Sequence, residues 1–308
     1  MNKTKVPGLD FAIIGAQKSA STFVQRALID HPEIGMPRGE THVIEDPWYT
    51  PESFEECIAN LAATFPGNRL LGIKRPDCLG LATSMERLHR HMPAGRILVI
   101  LRNPIDRAVS AYYHYMRYDS LPLLDVEDGM RRILDGGIPG YPLAEKVLSY
   151  GMYGRCLARC FSLFPASRCL VMKHDEIVRD KEGALLKVYG FLGIDPGHRT
   201  RNLERRSQAV IYSMRRLAFL RLRSPFVFKW FDQRTYWQFR FGPLSKLAWY
   251  GFEAVDRYLL GRVIANRKPT LSAELRDRLA DHYRTDLQEA EDLTGLDLVS
   301  WLPLSRES

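Results

Sequence analysis

The chain has 308 residues, 45% hydrophobic and 26% charged, with 44 basic against 36 acidic residues and a formal net charge of +8. Such a composition suits a globular chain with a real core, built as one large α/β domain or two smaller ones. The basic excess favours anionic ligands or surfaces, but it is too modest to indicate DNA binding on its own. Cysteines number five and none forms a Cys-x-x-Cys pair, so neither a zinc site nor a disulfide framework is implied. A reduced, cytoplasmic compartment is the expectation. The opening MNKTKVPGLDF lacks the apolar run of a signal peptide, and no stretch reaches the roughly 18 apolar residues of a membrane span.

In chain order, Phe11 to Ile14 is a short apolar run, followed at once by Gly15 and the polar loop Ala16-Gln17-Lys18-Ser19-Ala20-Ser21-Thr22. A helical pattern then places Phe23, Val24, Ala27 and Leu28 on one side. Strand, loop and helix in this order make an anion site. The first helical turn has amides without intrahelical partners and sits at the positive end of the helix dipole. Lys18, Ser19, Ser21 and Thr22 add charge and hydroxyl donors. The plainer alternative is an ordinary βα turn rich in small residues.

The loop departs from the nucleoside-triphosphate P-loop, which needs lysine directly before the hydroxyl residue at the helix start. Gly15-Ala16-Gln17-Lys18-Ser19-Ala20-Ser21-Thr22 instead resembles the 5′-phosphosulfate loop of sulfotransferases that use 3′-phosphoadenosine 5′-phosphosulfate (PAPS), a Gly-x-x-Lys turn followed by small residues and a Ser/Thr pair. Ala20 stands where glycine is frequent in that family.

Asp30-His31-Pro32 stops the first helix, because the residue before proline avoids helical geometry. The segment from Glu33 to Tyr49 then carries Glu40, His42, Glu45, Asp46 and Trp48, a polar cluster suited to acid/base work. A solvated acidic loop with one packed histidine is the alternative. Glu40-Thr41-His42-Val43-Ile44 resembles the Glu-x-His segment of heparan-type sulfotransferases, where the glutamate is the base. In other branches a histidine takes that role, which leaves His42 as second candidate.

Pro51 to Phe65 reads as a surface helix capped by Thr50 or Ser53. Leu70 to Ile73 is a second strand, ending in Lys74-Arg75-Pro76-Asp77. Residues just past strand ends line the ligand crevice of an open parallel sheet. Lys74 matches a family lysine that faces the transferred group or the acceptor, whereas Arg75 is expected on the surface. The next strand, Ile97 to Leu101, is fully apolar, as buried parallel strands are. It leads through Arg102-Asn103-Pro104 into a helix carrying Arg107, Ser110 and Tyr112. Arginine's forked donors and a serine hydroxyl suit phosphate. This run closely resembles the family's 3′-phosphate motif, which assigns that phosphate to Arg102 and Ser110.

Leu121 to Asp128 reads as a loop, Gly129 to Leu134 as a short helix, and a longer helix is expected from Ser149 to Phe164. Cys169 to Met172 is a further apolar strand, then His174-Asp175-Glu176, and Asp180 to Leu192 is helical. The basic run Arg199 to Arg206 resembles the family's late loop over the nucleotide, with Arg205 and Arg206 as contacts; a solvated charge run is the alternative. From 208 to 262 the family pattern explains least: aromatic residues interleave with arginines and lysines. Membrane-surface contact, a lid over an apolar acceptor, stacking on single-stranded nucleic acid and an ordinary helical subdomain all use these residue types; no nucleic-acid motif accompanies them. Beyond Ser272 a closing helix is expected, and Tyr283, Asp286, Gly295, Asp297 and Trp301 resemble the family's last helix and its exit.

The resemblance covers residues 9 to about 207 and 268 to 302. It implies a single domain with a P-loop-like three-layer α/β fold, a central parallel sheet with helices on both faces. The implied reaction is sulfuryl transfer from PAPS to a hydroxyl or amine of a small-molecule, carbohydrate or lipid acceptor. Glu40 or His42 would act as base, with Lys18 and Lys74 beside the reacting groups. Gln17, Lys18, Ser19, Ala20, Ser21 and Thr22 would hold the 5′-phosphate. No metal-ligand set is visible. A P-loop kinase is the rival enzyme, but it calls for an acidic magnesium ligand at the strand end where Arg102 stands. A non-enzymatic nucleotide- or lipid-binding module on the same fold is the other rival.

Overall fold

The computed structural model describes residues 8–201, 210–231, 234–240 and 242–303. These residues form two compact units. The first takes in the described residues of Met1–Asn103, Met152–Ser207 and Asp286–Val299; the second takes in those of Pro104–Gly151, Gln208–Thr285 and Ser300–Ser308.

The first unit is built on a parallel five-stranded sheet in the order β2-β3-β1-β4-β5, with β1 Phe11–Gly15, β2 Ile34–Gly35, β3 Leu70–Lys74, β4 Arg96–Leu101 and β5 Cys169–Lys173. Four of these are the apolar runs of the sequence. β2 is only two residues long and too short to show a period; its pairing with Leu70 and Leu71 creates it. The central strands are buried along their length because both faces are covered. On one face Phe11, Ile13, Leu98, Ile100 and Met172 pack into one core with residues of α1 (Ser21–Ile29) and α9 (Lys181–Leu192). The alternate residues Ala12, Ile14, Ile97 and Val99 are buried as well. Phe11 lies opposite Gly72, where a Cβ would stand 2.1 Å from the phenylalanine ring. Only glycine lets β1 and β3 pair with an aromatic residue there.

Other helices follow the sequence signals. α2 (Pro51–Thr64) starts with a reciprocal cap: Thr50 Oγ1 accepts from the Ser53 amide at 3.0 Å and Ser53 Oγ accepts from the Thr50 amide at 2.9 Å. α3 (Ala82–His91) follows β3. In the second unit, α4 is Pro104–Arg117 and α5 is Val126–Leu134, the latter beginning inside the stretch expected as loop because Asp125 caps it through the Glu127 amide at 2.8 Å. Tyr112 on α4 donates to the Leu124 carbonyl at 3.1 Å, and Gly129 leaves room for its hydroxyl. α6 is Lys146–Ser149; the helix expected to run on from Ser149 breaks and restarts as α7 (Tyr153–Leu163) in the first unit. The His174-Asp175-Glu176 turn is a short helix, α8 (His174–Arg179).

The aromatic and basic stretch is not all helical. After α10 (Met214–Arg221) and α11 (Ser224–Val227) comes an antiparallel hairpin of β6 (Phe228–Phe231) and β7 (Tyr236–Phe239), then α12 (Pro243–Val255), a π-helical turn Asp256–Leu260 and α13 (Gly261–Val263). Pairing of Phe228 with Phe239 and Trp230 with Trp237 fixes the hairpin, since cross-strand aromatic pairs stabilise strands in a way helical periodicity does not show.

The last helix, α14 (Ala273–Thr294), explains the Asp286 position of the resemblance. The Asp286 carboxylate accepts from the Gly154 amide at 2.8 Å and the Arg155 amide at 3.0 Å, the first turn of α7. It caps α7 from a distant helix, where a negative charge is favoured. Asp286→Ala is expected to lower unfolding free energy by about 1–3 kcal/mol, read as a lower urea midpoint at unchanged slope. An unchanged midpoint would show that water replaces the cap.

Candidate active site

Everything in the first unit's site starts at the end of β1. Gly15 closes the strand, and a Cβ on it would stand 2.6 Å from Leu79, so the loop leaves the sheet tightly packed. The Ala16 amide donates to the Ile100 carbonyl of β4 at 2.7 Å, tying the loop's first residue to the sheet. Lys18 and Ala20 both adopt left-handed backbone, with φ of 68° and 69°. Left-handed residues alternating with ordinary ones turn successive amides toward one concave side, a geometry that holds anions. α1 begins at Ser21, directly behind. Ser19 is fully buried, and its hydroxyl has no hydrogen-bond partner among the described residues. A buried hydroxyl without a partner is costly, and here it stands in the loop whose backbone favours an anion.

Ala20 itself is under strain, because an L-residue other than glycine loses about 1–2 kcal/mol in left-handed geometry. Ala20→Gly relieves that strain and gives back part of it as unfolded-chain entropy. The expected net gain is about 0.5–1 kcal/mol of stability, measured by urea unfolding; a loss would mean the loop relaxes when glycine is present.

Around the loop the strand ends supply charge. Arg102, at the end of β4, donates to the Lys18 carbonyl at 3.0 Å, and its own carbonyl accepts from Tyr153 at 2.8 Å. Lys74, at the end of β3, is buried; its ammonium donates to Thr22 Oγ1 at 3.0 Å and lies 3.2 Å from Glu40 Oε1. Burial lowers the Lys74 pKa, and Glu40 opposes the shift. Glu40 Oε2 accepts from Arg75 at 2.8 Å, so two cations orient this carboxylate while its side chain stays 35% exposed, enough for a substrate group to reach. The Thr41 amide donates to the Lys74 carbonyl at 3.0 Å and fixes the Glu40 segment to the β3 end.

Arg75 is the correction to the sequence reading. Its side chain is 11% exposed and engages Glu40, Glu45 and Asp77 together, with both Glu45 oxygens at 2.6 Å. Burial alone would lower its pKa, but Asp77, Glu45 and Glu40 outweigh it and raise it. Asp77 in turn accepts from Gln17 Nε2 at 3.1 Å, which brings the network back to the loop after β1. Sequence reasoning missed Arg75, Glu45 and Asp77 as organisers of the site. Their signal was position: Arg75 and Asp77 lie just past β3, and Glu45 lies in the polar segment from Glu33 to Tyr49.

His42 keeps solvent on part of its surface, and its ring lies edge-on to Trp48 at 5.8 Å. Desolvation, and then Arg75, lower its pKa against the pull of Glu40 and Asp77. The shift favours the neutral imidazole, the form able to take a proton. Thus Gln17, Lys18, Ser19, Ala20, Ser21, Thr22, Glu40, His42, Lys74 and Arg102 all belong to the first unit. Ser110 lies on α4 in the second, buried. Arg107, in the same motif, is fully buried and donates to the Val147 carbonyl within the second unit. Arg205 and Arg206 lie outside the described residues.

A family model of the sulfotransferase domain matches residues 9–224, more than half of the chain. This chain belongs to the sulfotransferase family. As a sulfotransferase it is similar to human heparan sulfate glucosamine 3-O-sulfotransferase 6, with 23% identity over 59% of this chain and 51% of the relative. It is also similar to the membrane-associated sulfotransferase kil1 of Dictyostelium discoideum, with 24% identity over 35% of this chain and 23% of that protein. The chain thus spans about half the length of the human relative. The crystal structure of a sulfotransferase from Alicyclobacillus acidocaldarius matches with a TM-score of 0.66 at 19% identity, over 96% of this chain and 99% of that one. That likeness shows the shared α/β fold with its central parallel sheet.

Proposed function

We propose that this chain transfers a sulfuryl group from PAPS to a hydroxyl or amine of a carbohydrate, lipid or small-molecule acceptor. The observation that supports this most is the buried Ser19 hydroxyl, without a partner among the described residues, in a left-handed loop at a helix start that Thr22 ties to the Lys74–Glu40 pair. Such a loop fits a phosphosulfate: its left-handed backbone turns amides to one concave side, and the Ser19 hydroxyl, without a partner among the described residues, lies in the same loop.

When bound, PAPS supplies an activated sulfuryl group on a phosphate leaving group. The amides of residues 18 to 22, with Ser19, Ser21 and Thr22, hold the 5′-phosphate, and Gln17 positions the loop through Asp77. Lys18 would counter the charge that builds on the oxygen of the leaving phosphate. Glu40 would take the proton from the acceptor as the acceptor atom bonds to sulfur and the sulfur–oxygen bond to the 5′-phosphate breaks, the electron pair leaving with adenosine 3′,5′-bisphosphate; Lys74 and Arg75 keep its carboxylate aimed. His42 is the alternative base, two residues further on. Arg102 and Ser110 hold the 3′-phosphate by their place in the motif, and Arg205 and Arg206 serve as further contacts by theirs. The human relative's name specifies heparan sulfate glucosamine, which makes a carbohydrate the first acceptor to try.

Incubation with sulfur-labelled PAPS and a cell extract, followed by identification of the labelled product, tests the reading. Labelled product together with micromolar binding of adenosine 3′,5′-bisphosphate supports it. Nucleotide binding without product on any acceptor would make the chain a binding module, and magnesium-dependent ATP binding without PAPS binding would make it a kinase.

A further inference from the structure

The second unit carries a surface that donor binding does not use. α12, the π-helical turn and α13 make one helical run from Pro243 to Val263. Its polarity is inverted relative to a helix on a soluble protein. Both acids turn inward. Glu253 accepts from Arg117 at 2.7 Å and from Arg223 at 2.6 Å, and Asp256 accepts from Arg216 at 2.7 Å. Trp249 lies beneath the Arg223 guanidinium at 4.2 Å. Facing water instead are Leu244, Leu247, Tyr250, Tyr258, Leu259 and Val263, with Leu244 77%, Leu247 70% and Val263 78% exposed. Leu244, Leu247, Tyr250 and Tyr258 recur at helical spacing, which gathers them on one side. The exposed charges of this run are Lys246, Arg257 and Arg262, all basic and without an ion-pair partner among the described residues. Residues 208 to 262 hold ten lysines and arginines against three acids, so this stretch carries +7 of the chain's net +8.

We propose that the Pro243–Val263 helical run docks the chain on an anionic lipid surface, lying flat in the headgroup boundary. An exposed apolar stripe signals a partner or a membrane. Charge complementarity selects the membrane. A second copy meeting this face across a two-fold axis would set Lys246, Arg257 and Arg262 against their own equivalents, which repel. An anionic bilayer instead takes leucine and valine side chains into its boundary, tyrosine rings at headgroup level and basic groups among phosphates. The run does not span: no helix among the described residues is long and apolar enough to cross a membrane.

Co-sedimentation of the full chain with phosphatidylcholine vesicles, alone or mixed with phosphatidylglycerol, tests the proposal. The wild type should bind mixed vesicles well above the neutral ones, less so as salt rises. Leu244→Asp with Leu247→Asp should weaken that binding by at least about tenfold, with thermal unfolding unchanged because both side chains are exposed. Replacing Lys246, Arg257 and Arg262 by serine should cost about fivefold for each charge. Equal binding to neutral and mixed vesicles at low salt, or undiminished binding by the double aspartate variant, would overturn the proposal. So would a wild-type dimer in sedimentation equilibrium that the double variant turns into monomer, since a second copy would then cover this face.

Discussion

Glu40→Gln is expected to lower sulfuryl turnover by about 10²–10⁴-fold, the usual span for loss of a general base. Glutamine keeps the size of the side chain and one oxygen toward Lys74 or Arg75, but it cannot take a proton at neutral pH. Both cations have other partners, Thr22 for Lys74 and Glu45 with Asp77 for Arg75, so the network persists without the Glu40 charge. Affinity for adenosine 3′,5′-bisphosphate should therefore stay near wild type, and that measurement separates lost chemistry from lost folding. His42→Ala should cost less. The neutral, solvent-contacting His42 is nonetheless equipped for the same task. If His42→Ala is inactive while Glu40→Gln turns over normally, the histidine is the base and Glu40 serves to orient Lys74 and Arg75.

Lys18→Ala is expected to reduce kcat by roughly 10²–10³-fold, the range for removing one electrostatic donor aimed at developing charge. Nucleotide affinity should fall much less, because the charge that Lys18 meets grows only on the way to the transition state. Alanine suits the comparison for a structural reason. Lys18 has φ of 68°, and alanine carries the same Cβ penalty there, so backbone strain is unchanged. The carbonyl that accepts from Arg102 is also retained. A change confined to KM would place the lysine in ground-state binding only, and the loop amides with Ser19 would then be the main electrostatic element.

Much of this protein is written in short stretches of chain. The turn from β1 into α1 is local: an apolar strand, a glycine, small residues and a helix start lie within Phe11 to Ile29, and their geometry needs little from elsewhere. The same holds for the strand ending at Arg102 and the apolar runs that became β3 and β5. The position of Lys74 as the last pairing residue of β3 follows from sheet topology, because parallel strands deliver their C-terminal ends to one edge. Glu40 was legible through its segment's resemblance, not through any periodicity.

Tertiary structure decided what those residues hold. Arg75 reads in sequence as half of a surface basic pair, yet the side chain is buried because Glu45, from a loop 30 positions earlier, and Asp77 neutralise it. Asp286 enters the sequence reading only as a match to the family's last helix, and its role as the cap of α7 depends on amides 132 and 131 positions away. The outward apolar face of α12 has the same origin. Arg117, Arg223 and Arg216 draw Glu253 and Asp256 inward, and Leu244 and Leu247 face water. A sequence shows which residues are charged or apolar, but which charge meets which is settled by contacts distant along the chain. The free energy of burying an ion depends on that partner more than on the residue itself.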